Sequence, residues 1–266
     1  MAAKIITLLT DFGLRDHYVA AVKGVVLSIN PAVQIVDITH AIPPGDIQSA
    51  AFTLGQAYSW FPLGTVHLAV VDPGVGTARK AIAASAGGHL FIAPDNGLLS
   101  WVFEREESSE VFEITADHYF RRPVSSTFHG RDIFAPMAAW LSRDVSLHQV
   151  GPPRPNPVRL KLPSLTRVRD ALIQAHVLAV DQFGNMITNL KPEDLPVFNP
   201  AGARTCKILV AQREITAFRR TFSDGQPGEL FVIPGSTGYL EIVMRDRSAA
   251  QELKAKPGDA VGVVFT

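Results

Sequence analysis

Residues 70–79 read Val-Val-Asp-Pro-Gly-Val-Gly-Thr-Ala-Arg. A β-branched run ends at Asp72, a Pro-Gly turn follows, and Arg79 stands seven positions after the carboxylate. This is how a buried strand leaves a sheet, and glycines in the loop beyond it let backbone approach a ligand closely. What precedes the stretch decides the fold. Residues 65–71 are the third of three apolar runs, after 5–9 and 34–38. Between the first two, Tyr18, Val22, Val25, Val26 and Ile29 recur at helical spacing; Asp16 suits the N-cap and Asn30-Pro31 the stop. Between the second and third, Asp46 caps a helix running to about Trp60, which Phe61-Pro62 closes. Strand, helix, strand, helix, strand is the order of a parallel sheet covered by helices. Ligands of such sheets sit at the carboxyl ends of the strands, and here these ends carry Asp11, Asp37 and Asp72.

Further along, Gly87-Gly88 joins apolar runs 81–85 and 89–93 as a hairpin. Pro94-Asp95-Asn96-Gly97 turns into a short helix over 98–103, residues 104–110 read as a surface loop, and an irregular segment 124–130 leads into a helix over 131–141. Five prolines fall between Gly151 and Pro163, a composition that neither continues a helix nor joins a central strand. The expected organisation is an α/β N-terminal catalytic domain with a mainly parallel central sheet (1–155), a linker (156–167) and an all-β C-terminal barrel that binds substrate (168–266). The last is read from strand-like runs at 171–180, 185–190, 205–210, 230–233, 239–243 and 260–265, interrupted by one helix at 249–254.

Composition narrows the function. The chain has 266 residues, 47% hydrophobic and 19% charged, the balance of a globular protein. Lys+Arg and Asp+Glu are 25 each, so no basic excess points to nucleic acid or an anionic membrane. The single cysteine, Cys206, cannot form an internal disulfide, which suits a reducing compartment. The opening apolar run is too short for a signal peptide, and no run approaches the ~20 residues that span a bilayer. A cytoplasmic protein is expected.

Four constellations could carry chemistry. Asp72 and Arg79 read either as a turn aspartate with a surface arginine, or as a carboxylate oriented and charge-balanced by a guanidinium. His129, in Ser126-Thr127-Phe128-His129-Gly130-Arg131-Asp132, reads as a capping-loop histidine or as a group acting on a proton near neutral pH. Asp11, after Thr10, reads as an Asx turn or as an acceptor for vicinal hydroxyls. Asp181 and Asn185, in Asp181-Gln182-Phe183-Gly184-Asn185, read as a decorated hairpin or as recognition of a planar heterocycle. No GxGxxG, P-loop, HExxH or CxxC pattern occurs, so neither a phosphate cradle nor a metal is indicated.

Taken together these motifs resemble those of the S-adenosyl-L-methionine (SAM) hydroxide adenosyltransferases, relatives of the enzymes that fluorinate and chlorinate the same substrate. The matching text is Leu9-Thr10-Asp11-Phe12-Gly13, Asp37-Ile38-Thr39-His40, Val71-Asp72-Pro73-Gly74-Val75-Gly76 with Arg79, Ala93-Pro94-Asp95-Asn96-Gly97, Thr127 to Asp132, Asp181 to Asn185, and Gly238-Tyr239-Leu240-Glu241-Ile242. The resemblance implies hydrolysis of SAM to adenosine and L-methionine by attack of water or hydroxide on ribose C5′, with SAM as substrate and no cofactor. It implies a catalytic trio of Asp72, Arg79 and His129, a ribose contact from Asp11 and an adenine contact from Asn185. Asp181 and Ser236 match positions near the methionine portion, and Phe222, Glu241 and Asp246 match further pocket positions. It also implies a homotrimer whose active sites lie between the N-terminal domain of one subunit and the C-terminal domain of the next. Arg245 departs from the family's usual Asn. The halogenating relatives carry an inserted loop between the hairpin strands and lack the counterparts of Asp72 and His129. Only Ala86-Gly87-Gly88 stands there in this chain, and a carboxylate at Asp72 would repel a desolvated halide. Hydrolysis is therefore favoured over a SAM-dependent halogenase or a non-catalytic adenosine/SAM sensor.

Overall fold

A computed structural model describes residues 4–198 and 205–265. The chain divides into two compact units, Met1–Lys161 and Leu162–Thr266.

In the first unit, β1 (Ile5–Thr10), α1 (Tyr18–Ile29), β2 (Gln34–Thr39), α2 (Ile47–Ala57) and β3 (Val66–Val70) follow the expected alternation. The hairpin β4 (Ala81–Ala86) and β5 (His89–Pro94), α3 (Ser100–Arg105), β6 (Ser109–Glu113) and α4 (Ala135–Leu141) complete it. The sheet order is β2-β1-β3-β5-β4-β6; the first four strands pair in parallel, and β4 pairs antiparallel with both β5 and β6. Alternate strand residues feed two cores. Ile6, Leu8, Leu68, Val70 and Ile92 pack with Val22 and Val26 of α1 and Met137 and Leu141 of α4. Leu9, Ala69, Val71 and Phe91 pack with Ala50 and Leu54 of α2 and Val102 of α3. Both faces are covered, which is why these strands read as continuous apolar runs.

Three local expectations differ. His17, not Asp16, holds the N-cap of α1, in helical conformation and without a capping side-chain bond. The surface loop ends early, because Ser109–Glu113 forms the edge strand β6 against β4. The helix over 131–141 opens with a π-turn, Gly130–Phe134, before α4. Pro136 accounts for the last. It has no N–H for the Asp132 carbonyl four residues back, and that carbonyl instead accepts from Arg121 N at 2.9 Å.

The second unit is all antiparallel. Its strands are β7 (Thr166–Arg169), β8 (Leu172–Val180), β9 (Met186–Thr188), β10 (Cys206–Val210), β11 (Arg213–Ile215), β12 (Leu230–Pro234), β13 (Leu240–Met244) and β14 (Ala260–Phe265), with α5 (Ala249–Leu253) before the last. The order β11-β10-β14-β8-β9-β13-β12, with β7 on β8, nearly closes through a bridge from Phe218 to Val232. This is the expected barrel. Leu240, Ile242 and Met244 of β13 point into its core. The alternate residue Val243 packs on the other face with Phe231 and Ile233, and the period of two puts Glu241 on that face as well.

Candidate active site

Asp72 lies just beyond β3, and the strand end is fixed there by Asn96, whose Nδ2 donates to the Val71 carbonyl at 2.8 Å. The chain then turns sharply. Gly76 has φ +77°, and a Cβ on it would stand 2.4 Å from the Ser126 carbonyl oxygen, so only glycine lets the two loops meet. The turn returns Arg79 to Asp72. Its Nε donates to both carboxylate oxygens at 2.8 and 2.9 Å, and its Nη2 also donates to Oδ2. The same Nη2 lies 2.9 Å from His129 Nδ1. Phe134 lies under the guanidinium, 5.0 Å from carbon to ring centroid. The pair is secluded, with side-chain exposures of 6% for Asp72 and 11% for Arg79.

Arginine can only donate, so His129 Nδ1 accepts, and a neutral ring then carries its proton on Nε2. Burial, and after it the Arg79 charge, push the imidazole below the ordinary histidine range, against the opposing pull of Asp72 and Asp132. His129 immediately precedes the π-turn, and its loop is braced by the fully buried Asp132. That carboxylate accepts from Ser125 N at 2.9 Å and from Arg131 Nε and Nη2 at 2.7 and 2.8 Å. Burial pushes the Asp132 carboxyl up, but the Arg131 and Ser125 hydrogen bonds outweigh it and hold the group below the usual range. Asp11 accepts from Gly45 N at 2.8 Å. Asp11, Phe12, Val70, Asp72 and His129 line one cavity of about 100 Å³.

The second unit holds a larger cavity, about 940 Å³, lined by Asp181, Asn185, Phe222, Ser236, Glu241 and Asp246. Asp181 organises the turn after β8. Its Oδ1 accepts from Phe183 N and Asn185 N at 2.9 and 2.8 Å, and its Oδ2 from Asn185 Nδ2 at 2.8 Å. With its amide nitrogen so engaged, Asn185 keeps Oδ1 without a donor among the described residues. Phe183 and Phe222 line the cavity with rings that are 78% and 52% exposed. Arg245 turns back to donate to the Ser223 and Gly225 carbonyls at 3.2 and 2.6 Å, tying down the turn that carries Phe222.

The structure thus gathers Asp72, Arg79, His129 and Asp11 at one place in the first unit and the other six candidates around one cavity in the second. The sequence offered Phe183 only as the aromatic of a heterocycle-recognising turn and gave no role to Asn96 or Asp132. Asp132 shares its motif with the cavity-lining Thr127, Phe128, His129 and Gly130, whereas the motif of Asn96 lines neither cavity.

Residues 6–151 match the SAM hydroxide adenosyltransferase N-terminal domain and residues 175–262 the C-terminal domain of the same family. A protein of Salinispora tropica named (R)-S-adenosyl-L-methionine hydrolase is 40% identical over 97% of both chains. A fluorinase of Actinoplanes sp. is 29% identical over 97% of both. Among solved structures, an uncharacterized conserved protein from Thermotoga maritima superposes with a TM-score of 0.90 at 38% identity, covering 97% of this chain and 99% of its own. With both domain matches in order along one chain, this protein belongs to the SAM hydroxide adenosyltransferase family.

Proposed function

We propose that this protein hydrolyses SAM to adenosine and L-methionine. The observation that carries the reading is the secluded Asp72–Arg79–His129 chain beside Asp11, in a cavity large enough for a water but not for a substrate. In the reaction the water oxygen bonds C5′, the C5′–S electron pair stays on sulfur, and methionine leaves as a neutral thioether. An anionic nucleophile meets a cationic sulfonium, so charge is cancelled on the way to the transition state. A dry pocket therefore raises the separated charges more than the transition state, and in-line placement lowers the entropic barrier. Asp72 accepts a hydrogen bond from the water, aligns it, and takes the proton that the water loses as its oxygen bonds C5′, so the nucleophile reaches carbon with hydroxide character. Arg79 fixes both oxygens of that carboxylate. His129 has Nδ1 occupied by Arg79, so it serves the water as an Nε2–H donor rather than as the base. Asp11 holds the ribose hydroxyls. Asn185 Oδ1 suits the exocyclic amine of adenine, with Phe183 and Phe222 as apolar faces for the base, and Asp181 and Ser236 belong to the methionine end.

In the same proposal the protein acts in the cytoplasm as a homotrimer, each first-unit cavity completed by a neighbour's second unit. No helix among the described residues is long and apolar enough to cross a membrane. The test is to incubate purified protein with SAM and follow adenosine and methionine by chromatography over many turnovers. Asp72→Ala and His129→Ala should each abolish turnover; if both retain it, the assignment fails. Halide-dependent formation of a halogenated adenosine would instead favour the fluorinase-like reaction. Mixing inactive Asp72→Ala and Asn185→Ala proteins should restore activity if sites are shared between subunits, and recovery of none would refute the sharing.

A further inference from the structure

We infer that Glu241 is the receptor for the α-ammonium group of the substrate, and that it gives up a proton when that group binds. This rests on SAM, or a ligand with the same amino-acid end, being what the second-unit cavity takes.

The second-unit cavity contains two carboxylates in very different states. Asp181 accepts three hydrogen bonds from its own turn, which uses most of its acceptor capacity. Glu241 is only 7% exposed, lines the cavity, and has no hydrogen-bond or ion-pair partner among the described residues. The fold makes room for it. A Cβ on Gly235 would lie 2.1 Å from Glu241 Oε1, so the glycine leaves the space the carboxylate occupies. A buried carboxylate with no partner is destabilising unless it holds a proton or receives a cation with hydrogen-bond donors. The cations nearby do not serve it. Arg245 is spent on the Ser223 and Gly225 carbonyls and pairs with Asp246 at 3.7 Å, and Arg247 lines the cavity without an ion pair to Glu241. The strands paired with β13 add no charge, since Leu230–Pro234 of β12 and Met186–Thr188 of β9 contain no titratable residue; α5, which also packs on β13, carries Glu252, and that carboxylate faces Arg213 at 3.9 Å. Asp181 is the one charged group acting directly on it, and it repels.

Of the two cations of SAM, the choice follows from donors. An ammonium offers three N–H groups to unfilled lone pairs, whereas a sulfonium offers none. Ser236, on the exposed rim of the same cavity, supplies a further acceptor. In the free protein burial, then the Asp181 charge, push the Glu241 carboxyl above the usual carboxylate range. An ammonium in contact favours the ionised form, so binding expels the proton.

The experiment is calorimetry of the whole protein with S-adenosyl-L-homocysteine, which keeps the ammonium and lacks the sulfonium, in two buffers of different ionisation enthalpy at mildly acidic pH. Wild type should release protons with this ligand and none with its analogue lacking the α-amino group. This comparison needs no variant. Glu241→Gln should abolish the release, leave thermal stability undiminished, and weaken the amino-bearing ligand about tenfold or more. Binding of the desamino analogue should be unchanged by that substitution. In turnover, KM for SAM should fall as pH rises in wild type and stay flat in Glu241→Gln, with kcat little altered. Proton release with both ligands or with neither would overturn the inference, as would Glu241→Gln weakening both equally. If wild type forms no adenosine from SAM, the proposed reaction fails, while the calorimetry still decides the role of Glu241.

Discussion

Acid should unfold the first unit through a histidine remote from the Asp72, Arg79 and His129 cluster. His67 stands near the start of β3, the end opposite Asp72, and is fully buried. Its Nδ1 lies 2.7 Å from Thr7 Oγ1 and its Nε2 3.2 Å from His89 Nδ1, and its ring stacks on Phe91 at 5.0 Å. Burial first, and then His89, push its pKa down from 6.5 to about 3. A base depressed in the folded state binds a proton in the unfolded chain at pH values where the native protein refuses it. The stability is therefore complete above pH 6.5 and is lost as pH falls from 6.5 toward about 3. At about 1.4 kcal/mol per pH unit, the loss is about 2 kcal/mol at pH 5. His89, also pushed down by burial, adds in the same direction. Trp60, Trp101 and Trp140 are the chain's three tryptophans, and all lie in the first unit, so denaturant unfolding followed by tryptophan fluorescence reads this unit alone. Wild type should lose about 2 kcal/mol between pH 7 and 5. His67→Gln, less stable at pH 7 for the lost packing, should lose clearly less over the same interval. Equal losses in the two proteins would refute the argument.

Other predictions concern the proposed catalytic cluster of Asp72, Arg79 and His129. Arg79→Lys keeps the charge but cannot hold both oxygens of Asp72 and His129 Nδ1 at once, so kcat for SAM hydrolysis should fall about a hundredfold through misplacement of the carboxylate. Unchanged kcat would show that the guanidinium geometry is not needed. Gly76→Ala combines a positive φ with a Cβ 2.4 Å from backbone oxygen; thermal denaturation should show it destabilised by about 1–3 kcal/mol, and activity should fall with it. Because burial and the Arg79 charge hold His129 neutral, kcat should stay level as pH drops past the ordinary histidine range and decline only below it. A decline centred at or above that range would contradict the Arg79–His129 bond. Asn96→Ala removes one hydrogen bond to the Val71 carbonyl and should cost about 1 kcal/mol of stability while lowering kcat more than it raises KM.

How much could be read from the sequence follows from how each element is stabilised. The runs that became β1, β3 and β5 were legible because helices cover both faces of the sheet and alternate residues enter two cores. β7 and β11 were not, since Thr166–Arg169 is exposed throughout and Arg213–Ile215 buries one residue. β6 was hidden too, because Ser109–Glu113 lies at the sheet edge and buries only the adjacent Val111 and Phe112, without alternation. Asp46 announced α2 because its side chain caps the helix, accepting from Ser49 N; Asp16 misled because nothing in composition says which polar residue before a helix will turn toward it. The π-turn at Gly130–Phe134 was hidden because Pro136 acts on a carbonyl four residues earlier. The members of the Asp72, Arg79 and His129 cluster could be named, but their hydrogen-bond roles could not, because these depend on which nitrogen of His129 meets a donor.

That last point bears on what the site is built to receive. Without Arg79 only burial would oppose the pull of Asp72 and Asp132, and His129 would more readily take a positive charge beside the proposed attacking water. That charge would repel a sulfonium and compete with Asp72 for the oxygen. The guanidinium adds to burial in opposing this by occupying Nδ1, and it does so with the same Nη2 that also donates to Asp72. One cation thus balances one carboxylate and, with burial, favours the uncharged imidazole. With Asp11 added, the residues lining the first-unit site carry a surplus of negative charge. The second-unit cavity has its own unpartnered acid in Glu241. Each cavity, taken alone, is therefore matched to a cation, and SAM carries one at sulfur and another at its amino group. A neutral thioether of the same shape keeps only the amino group, so the sulfonium-adjacent half of this match should show as weaker binding of S-adenosyl-L-homocysteine than of SAM to a catalytically inactive His129→Ala protein. Equal affinities would mean that the carboxylates near C5′ orient the nucleophile without drawing in the leaving group's charge.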